Sequence, residues 1–155
     1  LKKSPLSVNE VVTEAVKDFT STLQEYPLQI EFEEDPRSPI CSLAPLEFEL
    51  AVFNLLKNAL EALKAQKADE PKVFIKLSSG ETHCFVDISD NGAVISDSEF
   101  ERMGSVFKSG KASGLGIGLS IVRSIVQNHN GSLVLERGKS GGLVCRIRLP
   151  ILNAE

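Results

Sequence analysis

A chain of 155 residues, 42% hydrophobic and 25% charged, is long enough to bury the core of one ordinary globular domain. Its formal net charge of -4 gives no support for electrostatic binding to nucleic acid; its apolar runs fall far short of a membrane span, and no signal peptide is visible. Cys41, Cys84 and Cys145 are odd in number, widely spaced and without a C-x-x-C pair, which points to buried free thiols in a reducing compartment rather than to a metal or redox site.

Residues 1–5, "LKKSP", are expected to end a linker, with one domain over 6–150 and a short tail over 151–155. "SVNEVVTEAVKDFTSTLQEY" (7–26) carries Val8, Val11, Val12, Ala15, Val16, Phe19 and Leu23 at helical spacing, with Ser7 as cap and Pro27 as its close. "LQIEF" (28–32) alternates like a half-buried strand, and "DPRSP" (35–39) is a turn. A long helix is predicted from Pro45, a good first-turn residue, to about Gln66. Its leucines and phenylalanine at 46, 50, 53, 56, 60 and 63 step by three or four, which predicts one buried stripe. "KVFIKLSS" (72–79) and "HCFVDIS" (83–89) read as a hairpin joined by "GET". Residues 90–113 hold glycine, serine and charge with little periodicity, as a long lid-like loop would, with one short helix near 96–102. "GIGLSIVRSIVQNH" (116–129) is helical and ends at "NG"; "SLVLERG" and "GLVCRIRLP" close the chain as a hairpin around "KSGG". His83 falls in an apolar strand pattern as a core or edge residue, and His129 suits a capping role at a helix end. With no other histidine, a zinc cluster is disfavoured. Strands that come in pairs predict an α+β fold, with helices on one face of a mixed, mostly antiparallel sheet.

Three stretches hold residues suited to chemistry. Asn54, Asn58 and Glu61 share a wedge of the long helix, since residues three, four and seven apart overlie one another. Two amides and a carboxylate there offer oxygen ligands to a hard cation such as magnesium; a polar flank that merely meets solvent fits the same spacing. Asp90, with Asn91 and Gly92, follows a strand, as either a turn or a carboxylate that accepts a hydrogen bond from an exocyclic amine. Gly114, Gly116 and Gly118 let a ligand approach the backbone and lead into a helix N-terminus, which attracts anions. The spacing is neither that of a Rossmann turn nor that of a Walker loop. Lys111 upstream brings a positive charge to such a phosphate cradle, whereas a flexible linker would not run on into "LSIVRSIV".

In this order the stretches resemble the catalytic ATP-binding domain of sensor histidine kinases, shared more distantly with gyrase and related ATPases. "FNLLKNALEAL" is similar to that family's asparagine box, "DISDNG" to its first glycine box, "FKSGK" to its phenylalanine box and lid, and "GLGIGLSIVRSIVQNHNGSLVLERGKSGGLVCRIRLP" to its second glycine box and closing hairpin. The resemblance implies a two-layer α/β sandwich that holds ATP between the long helix, the lid and the helix after the glycines. It implies that Asn58 binds magnesium, that Asn54 is the other box asparagine, and that Asp90 recognises the adenine amine with Gly92 beside it. Phe107 and Lys111 then belong to the lid, Glu61 to the box, and Gly114, Leu115, Gly116, Ile117, Gly118 and Leu119 to the turn around the phosphates. Gyrase-like relatives carry a glutamate where Asn54 stands, and an amide is no general base, so phosphoryl transfer is favoured over hydrolysis.

Two positions depart from the pattern. Val94 replaces the second glycine of D-x-G-x-G, which is expected to place bulk near the base, and Gly104 removes one lid anchor. The implied partners are a separate helical dimerisation domain that carries the phosphoacceptor histidine, and a downstream response regulator. The domain alone is expected to be monomeric and cytoplasmic, with a membrane-bound sensor as one possible parent. A nucleotide-sensing module that has lost transfer activity and an anti-sigma-type serine kinase are the alternative readings.

Overall fold

The structure is a computed structural model that describes residues 2–109 and 115–152. In chain order its elements are β1 (Ser4–Ser7), α1 (Val8–Ser21), β2 (Gln29–Glu33), β3 (Ile40–Leu43), α2 (Pro45–Ala65), β4 (Lys72–Ser79), β5 (His83–Asp90), α3 (Asp97–Ser109), α4 (Leu115–Asn128), β6 (Ser132–Arg137) and β7 (Leu143–Pro150). A five-stranded sheet runs β2-β4-β5-β7-β6. Only β2 and β4 pair in parallel, and the crossover that such a pair needs contains α2. The predicted α+β class, with a mixed and mostly antiparallel sheet, is the observed one. A second sheet, absent from the sequence reading, pairs β1 with β3 in antiparallel register from Ser4↔Leu43 to Ser7↔Ile40. Ser4 and Pro5, expected in a linker, therefore belong to a strand.

Alternation decides which face of the sheet is covered. Val73, Ile75 and Leu77 of β4, Cys84, Val86 and Ile88 of β5, and Cys145, Ile147 and Leu149 of β7 are buried against the helices. Phe85, Asp87, Arg146 and Arg148 alternate with them on the other face, where Arg146 binds Asp87 through Nε and Nη2 at 2.7 and 2.8 Å. That pair raises the Arg146 pKa above its usual value, chiefly through the hydrogen bond to Asp87.

The stripe on α2 needs correction. Leu46 is 75% exposed and Leu50 48%, while Phe48, Ala51, Val52, Leu55, Leu56, Ala59, Leu60 and Leu63 are buried. The helix lies between α1, α4 and the sheet, so its buried surface is wider than one stripe and includes alanines that a count of leucines overlooks. Ser7 caps α1 as expected, accepting the Glu10 N–H at 3.3 Å. By contrast, α2 has Ala44 at its N-cap and no capping side chain. The Ala44 N–H instead donates to His129 Nε2 at 3.0 Å, while His129 Nδ1 donates to the Ile125 carbonyl at 2.8 Å. His129 is 3% exposed and packs on Phe48 with ring centroids 5.6 Å apart. It caps its own helix end and also locks α4 to the start of α2. His129→Ala would strand the buried Ala44 donor and open a gap beside Phe48, at an expected cost of about 2–3 kcal/mol. Urea unfolding of the two proteins measures this, and equal midpoints would refute it.

The predicted long loop holds more structure than expected. In place of a short helix near 96–102, α3 extends over thirteen residues. Ser96 Oγ accepts the Glu99 N–H at 3.2 Å, and Asp97 and Glu99 suit the positive end of the helix. Arg137 of β6 pins that end, binding Asp97 Oδ1 at 2.6 Å and stacking over Phe100 at 5.1 Å. Gly104 lies mid-helix, and a Cβ there would meet nothing within 4 Å.

Candidate functional site

A cleft of about 560 Å³, its open mouth included, lies where α2, α3, α4 and the ends of β5 and β7 converge. Leu55, Asn58, Ala59 and Ala62 line it from α2, Glu99 and Met103 from α3, and Leu119 from α4. Ile88 and Asp90 of β5, Gly142, Leu143 and Cys145 of the closing hairpin, and Gln66 and Ile95 line the rest. The wall is largely apolar, and Asn58 and Asp90 are its best-placed polar groups, as a site for a flat ligand with a few fixed polar contacts requires.

Asp90 is the last residue of β5 and is 9% exposed. Its Oδ1 accepts the Gly92 N–H at 2.8 Å and its Oδ2 accepts the Leu143 N–H at 3.4 Å. Burial raises its carboxyl above the ordinary value, and those two N–H groups draw it part of the way back. The loop beyond is held on several sides. Asn91 Nδ2 donates to the Glu70 carbonyl at 2.7 Å, and Asn91 Oδ1 accepts the Lys72 N–H at 2.8 Å. Ala93 donates to Gln66 Oε1 at 2.7 Å and accepts the Gly142 N–H at 2.9 Å. "DNG" is thus an anchored bend that aims a carboxylate into the cleft. A Cβ at Gly92 would stand 2.7 Å from Asp90 Oδ1 and 2.8 Å from Gln66 Oε1, so the close approach requires glycine.

The expected intrusion of Val94 does not occur. Val94 is 79% exposed and lines no part of the cleft, because the Ala93 bonds to Gln66 and Gly142 turn the chain outward before it.

Asn58 carries the other polar end. Its Nδ2 is buried without an acceptor, and its amide faces α4: a Cβ on Gly118 would stand 2.9 Å from Oδ1 and 3.1 Å from Nδ2. Gly116 and Gly118 lie in the first turn of α4, whose leading N–H groups lack helical partners. An unsatisfied buried amide beside a helix N-terminus fits a phosphate with its cation. Among the described residues no group of three His, Cys, Asp or Glu could hold a metal, so any cation would rest on an amide and on the ligand's own oxygens. Magnesium typically binds that way.

Other expected residues stand apart. Asn54 Nδ2 donates back to the Leu50 carbonyl at 2.9 Å, and Glu61 is exposed; neither lines the cleft. Lys111 and Gly114 lie outside the described residues, as do the side chains of Phe107, Leu115 and Ile117. Sequence reasoning missed Gln66 and the pair Gly141–Gly142. Those glycines have φ of 124° and 74°, and a Cβ on either would strike the backbone of the 90–94 loop. The doubled glycine before the last strand was the available signal, and it reads as an ordinary hairpin turn.

The raised Asp90 carboxyl has a consequence for stability. The folded protein disfavours its ionised form, so this contribution is full below the unfolded value of about 3.9 and is lost as pH rises through the higher folded value. Asp90→Asn should therefore gain stability relative to the parent as pH rises above about 4. Urea midpoints across that range report it, and a difference that does not change with pH would contradict it.

Residues 44–153 match the family described as histidine kinase-, DNA gyrase B-, and HSP90-like ATPase. The chain belongs to this ATPase family. Over 144 residues, 93% of this chain, it is 30% identical to the sensor protein FixL of Bradyrhizobium diazoefficiens, yet it spans only 28% of that relative. Its fold is similar to the catalytic domain of histidine kinase ThkA, with a TM-score of 0.81 at 23% identity over 97% of this chain and 96% of that one. The ATP binding domain of PrrB from Mycobacterium tuberculosis superposes with a TM-score of 0.74 at 24% identity, covering 99% and 100% of the two chains. Domains of this ATPase family bind ATP.

Proposed function

We propose that this chain is the ATP-binding catalytic domain of a sensor histidine kinase and supplies Mg-ATP for phosphoryl transfer to a histidine on a separate helical dimerisation domain. The observation that carries the proposal is the shared cleft: Asp90 at its floor and the unsatisfied Asn58 amide against Gly118. In this reading Asp90 accepts the exocyclic amine of adenine and repels the carbonyl oxygen that guanine has at the equivalent position. Asn58 is the residue that would hold magnesium, which when bound shields the phosphate charges and orients the transferred group. In the same reading the first turn of α4 meets the phosphates, and Lys111 is assigned to them by the resemblance alone. The Asn54 amide cannot deprotonate water, which favours transfer over hydrolysis.

The acceptor is placed on another domain because neither histidine here suits the role. His129 is buried with both ring nitrogens engaged, and His83 lies on the outer sheet face with Nδ1 2.8 Å from Thr82 Oγ1. The chain by itself is then expected to take up no stable phosphate from radiolabelled ATP, and adding the parent's helical domain should restore labelling. Phosphohistidine at His83 or His129 would overturn this. A response regulator is the downstream partner in the same reading, and the domain itself is monomeric and cytoplasmic. No helix among the described residues is long and apolar enough to cross a membrane. The alternative of a weakened sensing module is motivated by Val94 and Gly104; Val94 is exposed and lines no part of the cleft, which leaves Gly104 as its motive.

A further inference from the structure

Two thiols that do not line the cleft meet between the two sheets. Cys41 of β3 and Cys84 of β5, 43 positions apart, hold their Sγ atoms 3.3 Å from each other, and both are free and 1% exposed. They join the small β1–β3 sheet to the middle of the main sheet. The backbone on both sides is already tied together: Leu152 donates to the Ile40 carbonyl and Ile151 to the Thr82 carbonyl, each at 2.9 Å. A disulfide needs its sulfurs about 2.05 Å apart, so closure asks for a shift of about 1.2 Å.

We propose that Cys41 and Cys84 form a site of reversible oxidation, at which a hydroperoxide such as hydrogen peroxide closes an intramolecular disulfide between β3 and β5. The roles of the two sulfurs follow from their contact. Either sulfur can donate its S–H to the other; with Cys84 as the donor the contact lowers the Cys41 pKa and, with burial, raises that of Cys84. Cys41 is therefore the nucleophile. Its thiolate attacks one peroxide oxygen; the O–O bond breaks, and the departing hydroxide takes up the Cys41 proton as water. Cys84 then attacks the Cys41 sulfur of the sulfenic acid; the S–O bond breaks, and the hydroxide leaves with the Cys84 proton as a second water. Two thiols are oxidised and one peroxide becomes two waters. Access comes through local opening of β3, which pairs with β1 over only four residues.

Cys145 is the internal control. It lies alone at the cleft, where burial, with Asp90 nearby, pushes its thiol up to about 12. The closed bond ties the strand that leads into α2 to the strand that ends at Asp90.

The test treats the reduced chain with hydrogen peroxide, alkylates it under denaturing conditions and maps its peptides without reductant. Two of the three thiols should be lost, with a Cys41–Cys84 linked peptide, a mass lower by two hydrogens, and Cys145 alkylated. Dithiothreitol should restore all three. Cys84→Ser should stop at a Cys41 sulfenic acid that dimedone captures, while the peptide map of the unaltered chain stands whether or not that variant folds. Three intact thiols after peroxide, a bond through Cys145, a bond between chains, or overoxidised Cys41 without a disulfide would each overturn the proposal.

Discussion

Asp90→Ala is expected to weaken ATP binding about ten- to a hundredfold, because one partner of a buried, charge-assisted hydrogen bond is lost. Preference over GTP should vanish with it. The carboxylate is only 9% exposed, and its two backbone donors aim it from the end of β5 into the cleft, so water replaces the lost contact poorly. Asp90→Asn keeps the shape and offers both a donor and an acceptor; it should lose less ATP affinity and tolerate GTP better. Val94→Gly, which the sequence alone would suggest as a tightening change, should leave affinity near the parent value, since that side chain points to solvent. Dissociation constants for both nucleotides decide the matter. Affinity for ATP that survives Asp90→Ala would reduce Asp90 to a bend residue.

Gly118→Ala should separate binding from folding. Alanine is a better helix former than glycine by about 1 kcal/mol, so the fold should hold or gain. Its Cβ would nevertheless stand 2.9 Å from Asn58 Oδ1, and an amide on so short a side chain must move aside. Mg-ATP binding should fall at least about tenfold, close to the loss from Asn58→Ala. Because both changes act on one amide, the double variant should be little worse than either single one. Additive losses, or a Gly118→Ala protein that binds as well as the parent, would mean that α4 does not place Asn58 for the ligand.

Helices with strong apolar periodicity were legible from the sequence, as were the two hairpins: α1, α2 and α4 fall within a few residues of their predicted spans. Short β1 and β3 were not, because four-residue strands carry too little alternation and gain their stability from pairing across 30 residues of chain or more. The extent of α3 was hidden by Gly104 and by a polar composition that a propensity reading assigns to loop. At the site, Asn58, Asp90 and Gly92 could be named because a resemblance spans their spacing. The close approach of Gly118 to Asn58 could not, since that amide is 60 positions away. Likewise the alternating glycines lead into a helix despite poor propensity, since at Gly118 the helix must admit Asn58 where a Cβ would collide.

In the proposed function one cleft binds an adenine nucleotide at Asp90 and its magnesium-bound phosphates at Asn58. Calorimetric titration of the chain with ATP, with and without magnesium, tests it most directly. Saturable one-to-one binding that strengthens with magnesium, and a magnesium effect that disappears in Asn58→Ala, is the predicted result. Binding that ignores magnesium, or that keeps its full magnesium dependence without the Asn58 amide, would contradict it.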